Sequence, residues 1–177
     1  MKKINMLLAA VVCCCAAVAA DLYDDMASTP ELLKKWYGVN QNVKLLPNGG
    51  PEGKYAVEIS ADKPVTSRTL TFNLPIDRIK GKKVEFSADV KAENVVRSLD
   101  RGFLGIKFML YFKRANGKVH YFEGPSVGKK RIGTFNWTEF ESKCPIPADV
   151  VSARLEIGLQ HASGKVLFSD IDVEIED

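Results

Sequence analysis

The sequence predicts an all-β domain, a two-sheet antiparallel β-sandwich with one short helix near its N-terminus. Three observations carry this reading. From Tyr55 onward, runs of residues alternate apolar and polar side chains, the period of strands that bury one face. Gly, Pro and Asn separate the runs. Only one stretch carries the start and stop signals of a helix. One-sided strands must cover their apolar faces against each other, which means two sheets face to face.

The helix comes first. Thr29 suits an N-cap, Pro30 the first helical position and Glu31 the positive end of the helix dipole. Leu32, Leu33 and Trp36 share a face at helical spacing, and Gly38 is placed to end the turn. Strands follow. Tyr55, Val57 and Ile59 alternate with Ala56 and Glu58, and Leu70, Phe72 and Leu74 with Thr69, Thr71 and Asn73. Val84, Phe86, Ala88 and Val90 form the next face. The longest run sets Leu104, Ile106, Phe108, Leu110 and Phe112 on one side and Phe103, Gly105, Lys107, Met109 and Tyr111 on the other. Asn116-Gly117 then predicts a two-residue hairpin turn into Val119–Phe122. Further strands cover 137–142, 154–160 and 166–175, with Leu155, Ile157 and Leu159 on one face.

Residues 1 to about 20 read as a secretory signal peptide. Lys2 and Lys3 precede an apolar run, and Ala17-Val18-Ala19 supplies the small residues that signal peptidase needs, placing cleavage after Ala19 or Ala20. The run is shorter than the about 20 residues that span a bilayer. The working domain is then 21–177, exported to the periplasm or beyond. Losing the signal removes Cys13, Cys14 and Cys15 and leaves Cys144 alone, which excludes an internal disulfide. It also leaves 23 basic residues against 22 acidic, without the basic stripe of a nucleic-acid binder. The triplet Lys129-Lys130-Arg131 reads as a solvated loop between Gly128 and Gly133.

The second half carries an ordered set of motifs: Gly133-Thr134-Phe135-Asn136-Trp137-Thr138-Glu139-Phe140, then Ile146-Pro147-Ala148-Asp149, then Ala153-Arg154-Leu155-Glu156-Ile157-Gly158-Leu159-Gln160, then Gly164-Lys165-Val166-Leu167-Phe168 and Ser169-Asp170-Ile171-Asp172-Val173. This order resembles the carbohydrate-binding modules of the galactose-binding-like jelly-roll type that bacteria append to glycoside hydrolases. The resemblance implies a jelly roll and a glycan ligand, with Trp137 in the core. It also implies a structural calcium ion where the N-terminal segment meets the last strand, on Asp24, Asp25 and Asp170, completed by carbonyls of the 49–53 loop. Calcium takes about six to eight oxygens, which clustered Asp and a Gly-rich loop can offer.

Sugar recognition needs flat apolar surface against ring faces and polar groups for hydroxyls. The solvent side of the long strand offers Phe103, Lys107, Met109 and Tyr111, and that of the penultimate strand offers Arg154, Glu156 and Gln160, with His161 at its end. If the two strands share a sheet, as the resemblance implies, these eight residues form the expected glycan face. Catalysis finds less support. Gly124-Pro125-Ser126-Val127-Gly128 spells a nucleophile elbow, but that motif needs a strand-to-helix turn, and the reading here is a loop. His120 and His161 lack zinc spacing. The expectation is a secreted, non-catalytic protein that holds a poly- or oligosaccharide; the alternative is a cell-envelope module that uses the same sandwich to bind protein.

Overall fold

The computed structural model describes residues 20–176, so the segment read as a signal peptide lies outside the described residues but for Ala20. The strands are β1 (Ala20–Tyr23), β2 (Val43–Leu46), β3 (Ala56–Asn73), β4 (Lys83–Arg97), β5 (Gly105–Arg114), β6 (Val119–Phe122), β7 (Gly133–Pro145) and β8 (Val150–Glu176). All pair antiparallel. The front layer runs β6, β5, the first half of β8, and the second half of β3. The back layer runs β7, β4, the second half of β8, the first half of β3, and β2, with β1 beside the end of β8.

Two strands predicted as four explain how one hydrogen-bonded ladder makes two layers. The 55–59 and 69–74 runs belong to one strand, β3, and the 154–160 and 166–175 runs to another, β8. These partners bend together. Pairing breaks between Ala61 and Val65, opposite His161 and Gly164, which take φ of +45° and +108°. Pro64 sits inside this break, where its missing N–H costs no ladder bond. Polar and Gly residues that read as strand ends are therefore the corner where both strands pass from back to front.

Between the layers lies an aromatic core. Phe108 of the front sheet meets Phe86, Phe140 and Phe168 of the back sheet at ring-centroid distances of 5.3, 6.2 and 6.3 Å. All four are fully buried, as are Ile106, Leu110, Leu155, Ile157 and Leu159. The alternation thus assigns the inner face correctly along both front strands.

The helix forms over Pro30–Leu33 (α1), with Thr29 Oγ1 accepting from the Leu32 N–H at 3.2 Å. It ends before Gly38, and Trp36 folds under it to donate Nε1–H to the Met26 carbonyl at 3.1 Å. Two further one-turn helices, α2 (Ile76–Ile79) and α3 (Pro125–Lys129), depart from the single-helix expectation. Trp137 departs too. It is half-buried on the outward side of β7, while Phe140 fills the core and Phe135 packs against it. Alternation from Phe140 through Thr138, the partner of Val90, leaves Trp137 facing out, and the ladder shifts register before Phe135. The hairpin after β5 uses a three-residue loop rather than two. The Gly117 N–H bonds the Arg114 carbonyl, Arg114 pairs with Lys118, and Gly117 takes the left-handed position at φ +82°.

Candidate functional site

The outward face of the front sheet is built by register. Reading across the strands, Tyr121 of β6 pairs with Tyr111 of β5, and Tyr111 with Arg154 of β8. The next row sets Met109 against Glu156 and Glu156 against Thr71 of β3. Then Lys107 faces Gly158, Gly158 faces Thr69, and Gly105 faces Gln160. An isolated bridge from Tyr37 to Thr71 extends the surface by one more chain, and Tyr37 stands 65% exposed at that edge.

Gly158 allows this surface to be flat. A Cβ there would lie 2.2 Å from the Arg68 carbonyl oxygen, so β3 approaches β8 only because the side chain is missing.

At the Gly105–Gln160 end, the face deepens into a cavity of about 330 Å³ lined by Phe103, Lys107, Met109, Tyr121, Glu123 and Gln160. Phe103 forms its end wall, held by its carbonyl, which accepts from Lys107 Nζ at 2.8 Å and from Arg131 at 3.3 Å. Arg131 grips both oxygens of Glu123 at 2.9 and 2.7 Å, and Lys107 reaches the same carboxylate at 3.2 Å. The Arg131 carbonyl also accepts from the Ile106 N–H at 2.8 Å, so this segment continues the sheet edge where β6 stops. Tyr121 is 68% exposed and Phe103 52%.

Beside the cavity, the Arg154 guanidinium lies 3.9 Å over the Tyr111 ring and binds Glu156 Oε1 at 2.6 Å. Tyr121 packs its edge against Tyr111 at 5.4 Å.

The eight residues expected for a glycan face are therefore mostly gathered, but not as a simple open strip. Lys107 and Met109 are buried rather than solvent-facing, and Lys107 is held there by the Phe103 carbonyl and by Glu123. The Tyr111 ring has Arg154 on it, so it is a wall rather than a free platform. His161 stands at the sheet corner with its carbonyl bonded to Ser98, and is not among the residues lining the cavity. Tyr121, Glu123, Arg131 and Tyr37 join the face without having been expected. The turn length hid Tyr121. A two-residue turn would pair Tyr111 with Phe122, whereas the three-residue loop shifts the register by one and turns Tyr121 onto the outer face.

The acidic corner has its own logic. Asp25, Asp170 and Asp172 approach one another at the β1–β8 junction, and the 49–53 loop packs there, with a Cβ on Gly50 falling 2.3 Å from Ser169 Oγ. Asp172 Oδ1 accepts the Asp25 N–H at 2.7 Å, while the Lys54 ammonium sits on Asp170. Burial, reinforced by Asp170, Asp24 and Asp25, pushes the Asp172 carboxyl up to about 6. Asp25 is raised by burial and then by Asp170. Among the described residues, no three His, Cys, Asp or Glu side chains converge to hold a metal ion. In this arrangement Lys54 pairs with Asp170, and Asp24 is exposed.

Ser126 lies in α3 instead of a loop, but its hydroxyl donates to the Glu141 carbonyl at 3.1 Å and accepts the Glu141 N–H at 3.2 Å. It serves to tie α3 to β7. A polar notch of about 400 Å³ at the sheet corner, around Asp62, Asn94 and Lys165, has no aromatic wall, and Lys165 is already paired with Glu58 and Glu93.

Solved structures share this architecture. The xylan-binding family 22 module from Paenibacillus barcinonensis Xyn10C matches with a TM-score of 0.62 at 14% identity, over 92% of this chain and 98% of that one. The C-terminal family 22 module of Clostridium thermocellum Xyn10B matches with 0.61 at 12% identity, over 88% and 93%. The fold is that of jelly-roll carbohydrate-binding modules. A two-module fragment of the same Clostridium xylanase, solved with xylohexaose, matches with 0.58 at 14% identity; this chain covers 91% of itself and 28% of that longer chain. No family model matches the sequence, and no curated protein matches it. No helix among the described residues is long and apolar enough to cross a membrane.

Proposed function

We propose that this chain is a secreted, non-catalytic glycan-binding protein that holds sugar in the cavity at the Phe103 end of the front sheet. The observation that carries the reading is the pairing of exposed aromatic rings, Phe103 and Tyr121, with polar groups set at the rim and floor, Gln160 and Lys107. Ring faces bind the apolar side of a pyranose, and amide and ammonium donors bind its hydroxyls. Met109 lends the floor apolar surface, and Tyr111, Arg154 and Glu156 form a rigid wall that limits where a second sugar could lie. Family 22 modules of the same fold bind xylan, which supports a glycan as the ligand class. The signal peptide read from residues 1–20 supports export.

Affinity electrophoresis of the mature chain against a panel of soluble polysaccharides tests the proposal, with Tyr121→Ala as the diagnostic variant. Stacking that covers about 50 Å² of ring at about 25 cal/mol/Å² contributes roughly 1.2 kcal/mol, about eightfold in Kd. Because Tyr121 is mainly exposed, melting should stay within about 2 °C of the parent. No retardation on any polysaccharide, or unchanged retardation with Tyr121→Ala, would overturn the proposal.

A further inference from the structure

The cavity holds an uneven charge set. Lys107 and Arg131 share a single carboxylate, Glu123, and the three side chains are only 5%, 11% and 15% exposed. The adjoining Arg154–Glu156 pair is balanced and adds no net charge. The group therefore carries one excess positive charge in a place from which Phe103 and the 123–131 segment keep most water away. A partly desolvated charge without a counter-ion is costly, and an incoming anion relieves that cost.

Lys107 also keeps a donor to spare. An ammonium has three N–H donors. Lys107 uses one on the Phe103 carbonyl and one on Glu123, and the residue lines the cavity. One donor remains. The Gln160 carboxamide, which also lines the cavity, has no hydrogen-bond partner among the described residues. The volume of about 330 Å³ is at the small end of the roughly 300–1,000 Å³ usual for small-molecule sites, enough for one or two sugar rings rather than a long chain segment.

From these observations we infer that the cavity is a subsite for an acidic sugar, a uronic acid whose carboxylate accepts from Lys107 and, through its second oxygen or a ring hydroxyl, from Gln160. The ligand carboxylate completes a group of two cations and two carboxylates, while Phe103 and Tyr121 flank the ring. The basic triplet 129–131, which reads as a solvated loop in the sequence, contributes Arg131 to this group.

The inference rests on the glycan-binding reading, and the test separates the two. Titration calorimetry at pH 7 would compare trigalacturonic acid, and xylotriose bearing glucuronic acid, each with its carboxyl-reduced counterpart. Reduction replaces the carboxylate by a primary alcohol and leaves the rest of the sugar intact. At least one acidic probe should bind tenfold or more tightly than its reduced form. Lys107→Met leaves Glu123 paired to Arg131 and should erase that preference. The comparison on the unaltered protein stands even if Lys107→Met fails to fold. Equal binding of acidic and reduced forms would overturn the inference while the glycan reading survives, and a preference that persists in Lys107→Met would overturn the role of Lys107. Absence of binding to these probes and to the polysaccharide panel would overturn both.

Discussion

Replacing Gly158 with alanine would press a methyl group into the backbone of the neighbouring strand. Gly158 has φ of +138°, a conformation L side chains rarely adopt, and its Cβ would stand 2.2 Å from the Arg68 oxygen and 2.9 Å from Thr69 Cα. Neither contact is a flexible side chain that could swing away, so β3 must part from β8 under the front face. Backbone strain of this kind costs about 1–3 kcal/mol, and overpacking adds about 1–3 more. A central value of roughly 4 kcal/mol corresponds to a drop in Tm of about 8–16 °C for a domain of this size.

Two other glycines separate the contributions. Gly117 has φ of +82° but open space around its Cβ, so Gly117→Ala should cost only the strain, about 1–2 kcal/mol. Gly102 has neither constraint, and Gly102→Ala should stay within about 0.5 kcal/mol. Calorimetry on the three variants reads the series directly. If Gly158→Ala melts no lower than Gly117→Ala, the close approach of β3 does not govern this position and the account of the flat face is wrong.

The acidic corner predicts an unusual pH dependence. The Asp172 carboxyl is raised to about 6 in the fold against an ordinary value of 3.8, chiefly by burial, so its contribution is fully present below about 3.8 and lost as pH rises through about 6. Asp172→Asn keeps an oxygen for the Asp25 N–H and should raise Tm at pH 7.5 but not at pH 4; equal gains at both would refute the assignment. Cys144 is fully buried, and burial pushes its thiol up to about 11, so thiol reagents at pH 8 should label it only as fast as the protein unfolds. Labelling within the mixing time of the folded protein would contradict its placement.

Most of the site was legible in the sequence, but not its state. Period-2 alternation put Lys107, Met109 and Tyr111 on the side opposite Phe108, and it did the same for Arg154 and Glu156 opposite Leu155 and Ile157. The pairing of Met109 with Glu156 and Tyr111 with Arg154 then assembles the face. Alternation says which way a side chain points and nothing about what covers it. Lys107 is buried where it meets Phe103 and Glu123, elements with no periodic signal. Tyr121 depended on a one-residue difference in loop length, which inverts the facing of every residue in β6. The long strands were split for a related reason. Pro64 and Gly164 look like breaks, yet the chain turns a corner there without leaving the ladder.

What the sequence by itself determined is local: the strand period, the inward residues of each layer, and the capped helix at Pro30. These follow from polarity and backbone preference over a few residues. The tertiary structure alone decided that Phe103, Lys107, Tyr121, Glu123, Arg131 and Gln160 meet at one end of one sheet, and that two cations there share one carboxylate. Burial and charge balance depend on distances between segments remote along the chain, and those distances exist only once the two bent strands have set the layers face to face.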